Sequence, residues 1–331
     1  MAVAVAVPLF LVSLIATLAA AQTFAHRLDI LGIRFGLSET VIGLLSALAA
    51  DGPELSSAVA ALASGQRAVS AGVVVGSNIF NIAAMIGLSA LIAGGVRLSR
   101  AALAFEGTVG VLVTLFAAGV LLNVLTALTG AVLAAVVLVP YVLLVLGGGR
   151  PGAALPLPGK LSRSLAAVLA TRTRERSPAA HLIDHRRQMA LIVWDVALIL
   201  LGSLGMVRSA VALGEHWGVS GTLIGVLVLG PLTSIPNAQT GVRLGLAGRG
   251  AALVSETFAS NTINLVGGVL VPALFVAVTS RTGSERLDLA WLAAITLVCL
   301  LGLARRGGIG RRWGALLVLL YGGFFVFQLV Y

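Results

Sequence analysis

Two carboxylates three residues apart, Asp51 and Glu54 in the stretch "ADGPELSSA", lie inside an otherwise almost wholly apolar run from Val41 to Ala63. A charged side chain at the middle of a membrane helix costs about 2.5–3.5 kcal/mol even on insertion scales, so an ionisable group there normally has a partner or a task. Gly52 and Pro53 separate the two acids. Proline has no amide hydrogen and blocks helix continuation, which frees carbonyl oxygens, and these persist at membrane depth only when buried in protein or lining a hydrated site. Glu54 therefore reads as a cation ligand, while Asp51 either points into the same cavity or caps the helix that follows it. Further along, Glu256, Ser260 and Asn264 fall on one helix face at successive turns, and Ser77 and Asn81 repeat that spacing. On a lone helix such Ser and Asn residues would be interhelical hydrogen-bonding groups; here they are also candidate oxygen ligands. Asp195, beside Trp194, reads as an interfacial or packing residue, and the other acids fall at predicted span ends or in loops, Glu106 and Asp288 among them.

The elements that must position these groups are membrane helices. The chain has 331 residues, is 59% hydrophobic and only 10% charged, and its mean hydropathy is +1.06, outside the range of a soluble globular protein. A helix needs about 20 apolar residues to cross the hydrocarbon. Spans are predicted near 3–21, 39–64, 67–94, 107–124, 126–147, 188–206, 219–247, 250–280, 288–304 and 313–331. The fold class is thus an all-α polytopic membrane protein with about ten spans. The first ends in "LAAAQTF", which looks like a cleavage site, but no Lys or Arg precedes its apolar stretch and it is kept as a span. Cys299 is the sole cysteine, so no intrachain disulfide can form.

The formal charge of +10 orients the chain. If the basic linker 148–187 is cytoplasmic and sides alternate from there, every Lys and Arg except Arg67, Arg208, Arg281 and Arg286 falls on the cytoplasmic side. Both termini are then outside, and the membrane is expected to be the plasma membrane. The basic excess serves orientation and contact with anionic lipid, not nucleic acid. His181, Asp184 and His185 in the linker have a metal-compatible spacing, but among Pro, Ser, Thr and Arg they read as a solvated loop.

Five predicted spans lie on each side of the linker. "PELSSAVAALASGQRAVSAGVVVGSNIFN" from Pro53 aligns without gaps on "PNAQTGVRLGLAGRGAALVSETFASNTIN" from Pro236, matching Pro53/Pro236, Gly65/Gly248, Ser77/Ser260, Asn78/Asn261 and Asn81/Asn264. The expected organisation is a first five-helix repeat over 1–147, a basic linker over 148–187 and a second repeat over 188–331. An odd span count per half turns the second copy upside down, the inverted repeat of many secondary transporters, whose sites lie at the midplane between broken helices. Pro231 and Pro236 interrupt the counterpart of the stretch that Pro53 breaks.

"GPELSSAVAAL" followed by "GSNIFNIAAMIG" resembles the first alpha-repeat of the cation/calcium exchanger superfamily, the sodium/calcium exchangers, and "TSIPNAQT" with "ASNTIN" resembles the second. The resemblance implies a ten-helix fold in which spans 2, 3, 7 and 8 enclose cation sites while spans 1 and 6 slide to give alternating access. It implies that Glu54 is a calcium-binding glutamate, that Ser77 and Asn81 are polar ligands, and that Thr233, Ser234 and Ser260 are second-repeat ligands. The chain departs from the family pattern at Asn237 and Asn264, where the second repeat has a glutamate and an aspartate, and at Ala50 and Asp51, where the first repeat has Thr and Ser.

Calcium takes six to eight oxygens, and a buried divalent ion needs compensating carboxylates. Asp51 and Glu54 supply two, with Asn81, Asn237, Asn264, Ser and carbonyl oxygens to complete a shell. Two close carboxylates do not both stay charged cheaply once the ion leaves, so sodium or a proton competes for them. The function expected is antiport of calcium for sodium or protons by alternating access, with the cations as cargo, no cofactor and no catalysis. The alternatives are a sodium/proton antiporter, a degenerate exchanger kept as a membrane scaffold, and a channel; an intramembrane enzyme has no catalytic constellation to support it.

Overall fold

The computed structural model describes residues 1–35, 45, 47–97, 100–146, 185–278 and 283–330. The linker reading, including His181 and Asp184, and Glu39 lie outside the described residues. The elements are α1 (Val3–Arg34), α2 (Gly52–Ala63), α3 (Arg67–Asn81), α4 (Ser89–Ala93), β1 (Gly95–Arg97), α5 (Arg100–Leu121), α6 (Ala127–Leu146), α7 (His185–Trp217), α8 (Gly221–Leu223), α9 (Gly230–Thr233), α10 (Ile235–Leu246), α11 (Gly250–Leu265), α12 (Val271–Ala273), α13 (Gly283–Arg306), β2 (Gly308–Gly310) and α14 (Arg311–Val330). Three π-helical segments, Ile82–Leu88, Ile224–Leu229 and Val266–Leu270, join α3 to α4, α8 to α9 and α11 to α12.

Among the described residues, helices fall within each apolar stretch read from the sequence. Among the described residues, five helices are long and apolar enough to cross a membrane alone: Val3–Gly32, Arg67–Ala93, Arg186–Trp217, Gly283–Arg305 and Arg311–Val330. A sixth is the pair Gly221–Thr233 and Ile235–Leu246, which meets at 47°. The bend falls at Ser234, between Pro231 in α9 and Pro236 in α10, where the missing amide donors forbid a straight helix. Shorter apolar helices cover Glu106–Leu121 and Ala127–Leu143.

Burial separates a centre from a rim. In Arg67–Ala93 89% of the apolar window is buried, against 22% for Val3–Gly32 and for Arg311–Val330, so α3 runs through the core while α1 and α14 expose apolar faces. Glycines permit the central contact. A Cβ on Gly76 would lie 2.7 Å from the Cα of Val226, and one on Gly230 would lie 2.8 Å from the backbone nitrogen of Ser77. Backbone therefore packs on backbone between α3 and the bent span, as small residues allow in membrane proteins.

The aligned halves share their local geometry. After α2, Ser64 N bonds to Ala60 O, Gly65 N to Leu62 O and Gln66 N to Ala61 O; after α10 the same three bonds run from Ala247 to Arg243, Gly248 to Gly245 and Arg249 to Leu244. Gly65 (φ 76°) and Gly248 (φ 69°) supply the left-handed residue that such a helix stop requires. A π segment follows Asn81 in one half and Leu265 in the other.

Candidate functional site

Asp51 precedes α2 at its N-cap position, yet its side chain makes no capping bond. Its carboxylate bonds instead to side chains of the second half, Asn237 and Ser260. Asp51 is 0% and Glu54 1% exposed, and both carboxylates turn toward α10 and α11. The Asn237 Nδ2 group donates to Asp51 Oδ1 at 2.8 Å, Glu54 Oε1 at 2.9 Å and Ser260 Oγ at 3.1 Å. An amide has two N–H bonds for these three acceptors, so the contacts are shared. Ser260 Oγ donates in turn to Asp51 Oδ1 at 2.5 Å and accepts from Asn81 Nδ2 at 3.1 Å. Asn81 lies midway along the 27-residue helix Arg67–Ala93.

Around this cluster the halves hold each other reciprocally. Asn78 Nδ2 donates to Asn261 O at 3.2 Å and Asn261 Nδ2 to Asn78 O at 3.1 Å. Asn81 Nδ2 reaches Asn261 Oδ1 at 3.2 Å, while Asn264 Nδ2 reaches Asn78 Oδ1 at 3.3 Å and Ser77 Oγ at 3.4 Å. Each bond has its partner under exchange of the aligned positions. Sequence reasoning noted the Asn78/Asn261 match without giving these residues a role; the repeated Ser-Asn pair was the signal available for it.

The sequence-derived candidates divide accordingly. Asp51, Glu54, Asn81, Asn237 and Ser260 form one bonded cluster, which Ser77 and Asn264 adjoin. Thr233 is buried, but its hydroxyl donates back to Leu229 O at 2.8 Å and serves the broken helix. Ser234 is buried at the break itself. Glu256 is half-buried one turn before Ser260. Asp195 is paired with Arg27 of α1 and accepts from Thr23 Oγ1 at 3.0 Å, as a packing residue should.

Two acids placed at span ends are instead buried. Glu106 accepts from Ser255 Oγ at 2.7 Å and from Tyr141 Oη at 3.1 Å, because α5 starts at Arg100, ahead of its apolar stretch. Asp288 accepts from Gln328 of α14.

Five oxygens in or beside the central cluster are buried without a hydrogen bond inside the protein: Asp51 Oδ2, Glu54 Oε2, Asn81 Oδ1, Asn264 Oδ1 and Ser234 Oγ. An unsatisfied buried oxygen is costly, and carboxylate, amide and hydroxyl oxygens are the donors that hard cations take. Among the described residues no three His, Cys, Asp or Glu are grouped to hold a metal ion; the oxygens here come from two carboxylates with amides and hydroxyls, ligand types that suit hard cations.

The family profile described as sodium/calcium exchanger protein matches residues 5–147 and 188–330. The chain belongs to this exchanger family. Among curated relatives, CaxA of Alkalimonas amylolytica, provisionally named an antiporter, is 26% identical over 321 residues, 95% of each chain. The inner membrane protein YrbG of Escherichia coli (strain K12) is 34% identical over 85 residues, 25% of this chain and 26% of its own. Among solved structures, the sodium-calcium exchanger NCX_Mj superposes with a TM-score of 0.59 at 22% identity over 97% of both chains. The H+/Ca2+ exchanger CAX superposes with a TM-score of 0.72 at 16% identity, over 98% of this chain and 82% of that one. This exchanger thus shares the fold of membrane proteins that move cations.

Proposed function

We propose that this family member is a secondary-active antiporter that exchanges calcium for sodium or protons across the plasma membrane by alternating access. The observation that carries this reading is the cluster of oxygens without internal partners around Asp51 and Glu54, set where α2 and α10 begin at proline-marked breaks. A cation would draw ligands from both halves: Asp51, Glu54, Ser77 and Asn81 from the first, Ser234, Asn237, Ser260 and Asn264 from the second. Thr233 would contribute through the lone pairs left on its hydroxyl, and Glu256 as an outer charge that attracts the ion.

Antiport follows if the carboxylates cannot be left bare. Asp51 and Glu54 share one amide donor, Asn237, and a second cation or a proton must replace calcium before the emptied site reorients. The reciprocal asparagine bonds support the organisation as inverted five-span repeats over 1–147 and 188–331, ten spans in all, with the linker 148–187 cytoplasmic and both termini outside. Sodium/proton exchange is the second reading, favoured by Asn237 and Asn264 standing where the family pattern carries acids.

The deciding experiment is radioactive calcium uptake into proteoliposomes under an imposed sodium gradient and then an imposed pH gradient, with wild type beside Glu54→Gln. Gradient-driven accumulation in the wild type that the variant lacks is expected, and the effective gradient names the counter-ion. Absence of calcium movement under both gradients, with sodium uptake driven by pH, would replace calcium by the second reading. Absence of all flux would leave the scaffold, and calcium movement only down its gradient would identify a channel.

A further inference from the structure

At the end of the molecule where α13 gives way to α14, β1 and β2 form an antiparallel ribbon, Gly95 opposite Gly310, Val96 opposite Ile309 and Arg97 opposite Gly308. Beside the ribbon lies a pocket of about 770 Å³ whose charged lining is Arg97, Arg305, Arg311 and Arg312, with Trp313 on its wall. Both strands are too short and glycine-rich to contribute much by pairing alone, yet they hold arginines from the two halves of the chain around one space.

The electrostatics of this space are one-sided. Neither strand nor α14 carries an Asp or Glu, and the acids of α13, Glu285 and Asp288, lie at its opposite end. Asp288 bonds to Gln328 at the far end of α14, which is about 27 Å from Arg306 at 1.5 Å per residue. The first turn of the 20-residue α14 lines the pocket and turns its free amide groups and positive dipole end toward it. Arg311 Nε is engaged with Leu91 O at 3.2 Å, which anchors one guanidinium, while Arg97, Arg305 and Arg312 are exposed.

Depth identifies the ligand class. The separation between the acidic and basic ends of α13 is close to the hydrocarbon thickness of a bilayer, and between them Leu297, Leu301, Leu316 and Leu319 are exposed, as on a lipid-facing surface. The arginine pocket therefore opens at headgroup level, and Trp313 is of the residue type that prefers that interface. Guanidinium groups bind phosphate oxygens with two parallel hydrogen bonds.

We propose that the pocket beside the β1–β2 ribbon binds a phosphate group, held between Arg97 of the first half and Arg305 and Arg312 of the second, and supplied by the headgroup of an anionic phospholipid or by phosphate in solution. The site is separate from the central oxygen cluster and stands whatever ions the protein exchanges.

The test uses the full chain, delipidated in detergent and returned to phosphatidylcholine with or without phosphatidylglycerol, with retained phospholipid counted by native mass spectrometry. Wild type is expected to retain phosphatidylglycerol in preference to phosphatidylcholine. The combined variant Arg97→Gln/Arg305→Gln/Arg312→Gln should weaken that retention about 100-fold, roughly fivefold per arginine at an anionic surface. Arg186→Gln/Arg187→Gln, which removes the same kind of charge away from the pocket, should not. The corresponding triple lysine variant keeps the charge and guards against misfolding; it should fold and bind at an intermediate level, since it loses the planar fork. A parallel arm titrates inorganic phosphate into lipid-poor protein and follows the unfolding temperature. Stabilisation there that the triple Gln variant loses, without selective lipid retention, would support the site and assign its occupant to the aqueous phase. Equal behaviour of wild type and the triple Gln variant in both arms would overturn the proposal.

Discussion

Asn237 ties the two acids of the central cluster together, because its single amide group bonds to both Asp51 and Glu54. Hydrogen bonds to charged groups contribute about 1.5–3 kcal/mol each, so Asn237→Asp exchanges two such bonds for a third negative charge. In chelator this variant should unfold at a markedly lower temperature than wild type, and calcium should restore it. Calcium affinity should rise about tenfold as ligand charge increases, read by calcium titration of the unfolding temperature. A variant as stable as wild type in chelator would show that the amide does not bridge the acids. Glu54 stood out as a candidate ligand because a carboxylate in an apolar run is rare, and Asp51 was legible only as one of two alternatives. That Thr233 turns its hydroxyl back onto Leu229 and Gly230 could not be read, since a side-chain rotamer beside a helix break depends on which carbonyls the break exposes.

Between elements, glycine and charge do different work. At Gly76 any side chain meets the backbone of Val226, which cannot rotate away, so Gly76→Leu should separate α3 from the bent span and abolish transport in proteoliposomes. Gly65→Ala meets nothing within 4 Å and suffers only from its positive φ, a cost of roughly 1–2 kcal/mol; transport should survive with a lower unfolding temperature. The α1–α7 contact rests on Gly202 and Gly205 against Ser13 and Thr17 and on the Arg27–Asp195 ion pair. Asp195→Ala strands a partly buried guanidinium and should cost about 3 kcal/mol, whereas Arg27→Met/Asp195→Met should recover most of that loss in a double-mutant cycle by chemical denaturation. The helices and their proline breaks were readable from apolar length and residue type. The π segments were not, because a single extra residue per turn leaves no mark on an apolar pattern.

For the molecule as a whole, the charge asymmetry makes a prediction independent of the ion. Cys299 is the sole cysteine, so Cys299→Ala combined with Ser162→Cys leaves a single thiol, in the linker. In intact cells an impermeant maleimide should leave it unlabelled and should label it only after permeabilisation, while a cysteine added at either terminus should react from outside. Labelling of the linker in intact cells would reverse the orientation derived from the arginines.

Composition and the apolar runs by themselves determined that this chain is a helical membrane protein, since insertion depends on transfer free energy, which is a local sum over residues, and the repeated Pro and Ser-Asn motifs pointed to two related halves. The repeat also singled out most of the polar groups that meet. Which of them touch was decided only by the tertiary structure. Asn81 bonds to Ser260, Asn264 to Ser77 and Asn237 to Asp51 across a sequence separation of about half the chain, and such contacts depend on how the glycine-faced helices dock. The arginine pocket has the same origin: Arg97 and Arg305 are unrelated in sequence, and the ribbon that brings them together exists only in the folded molecule.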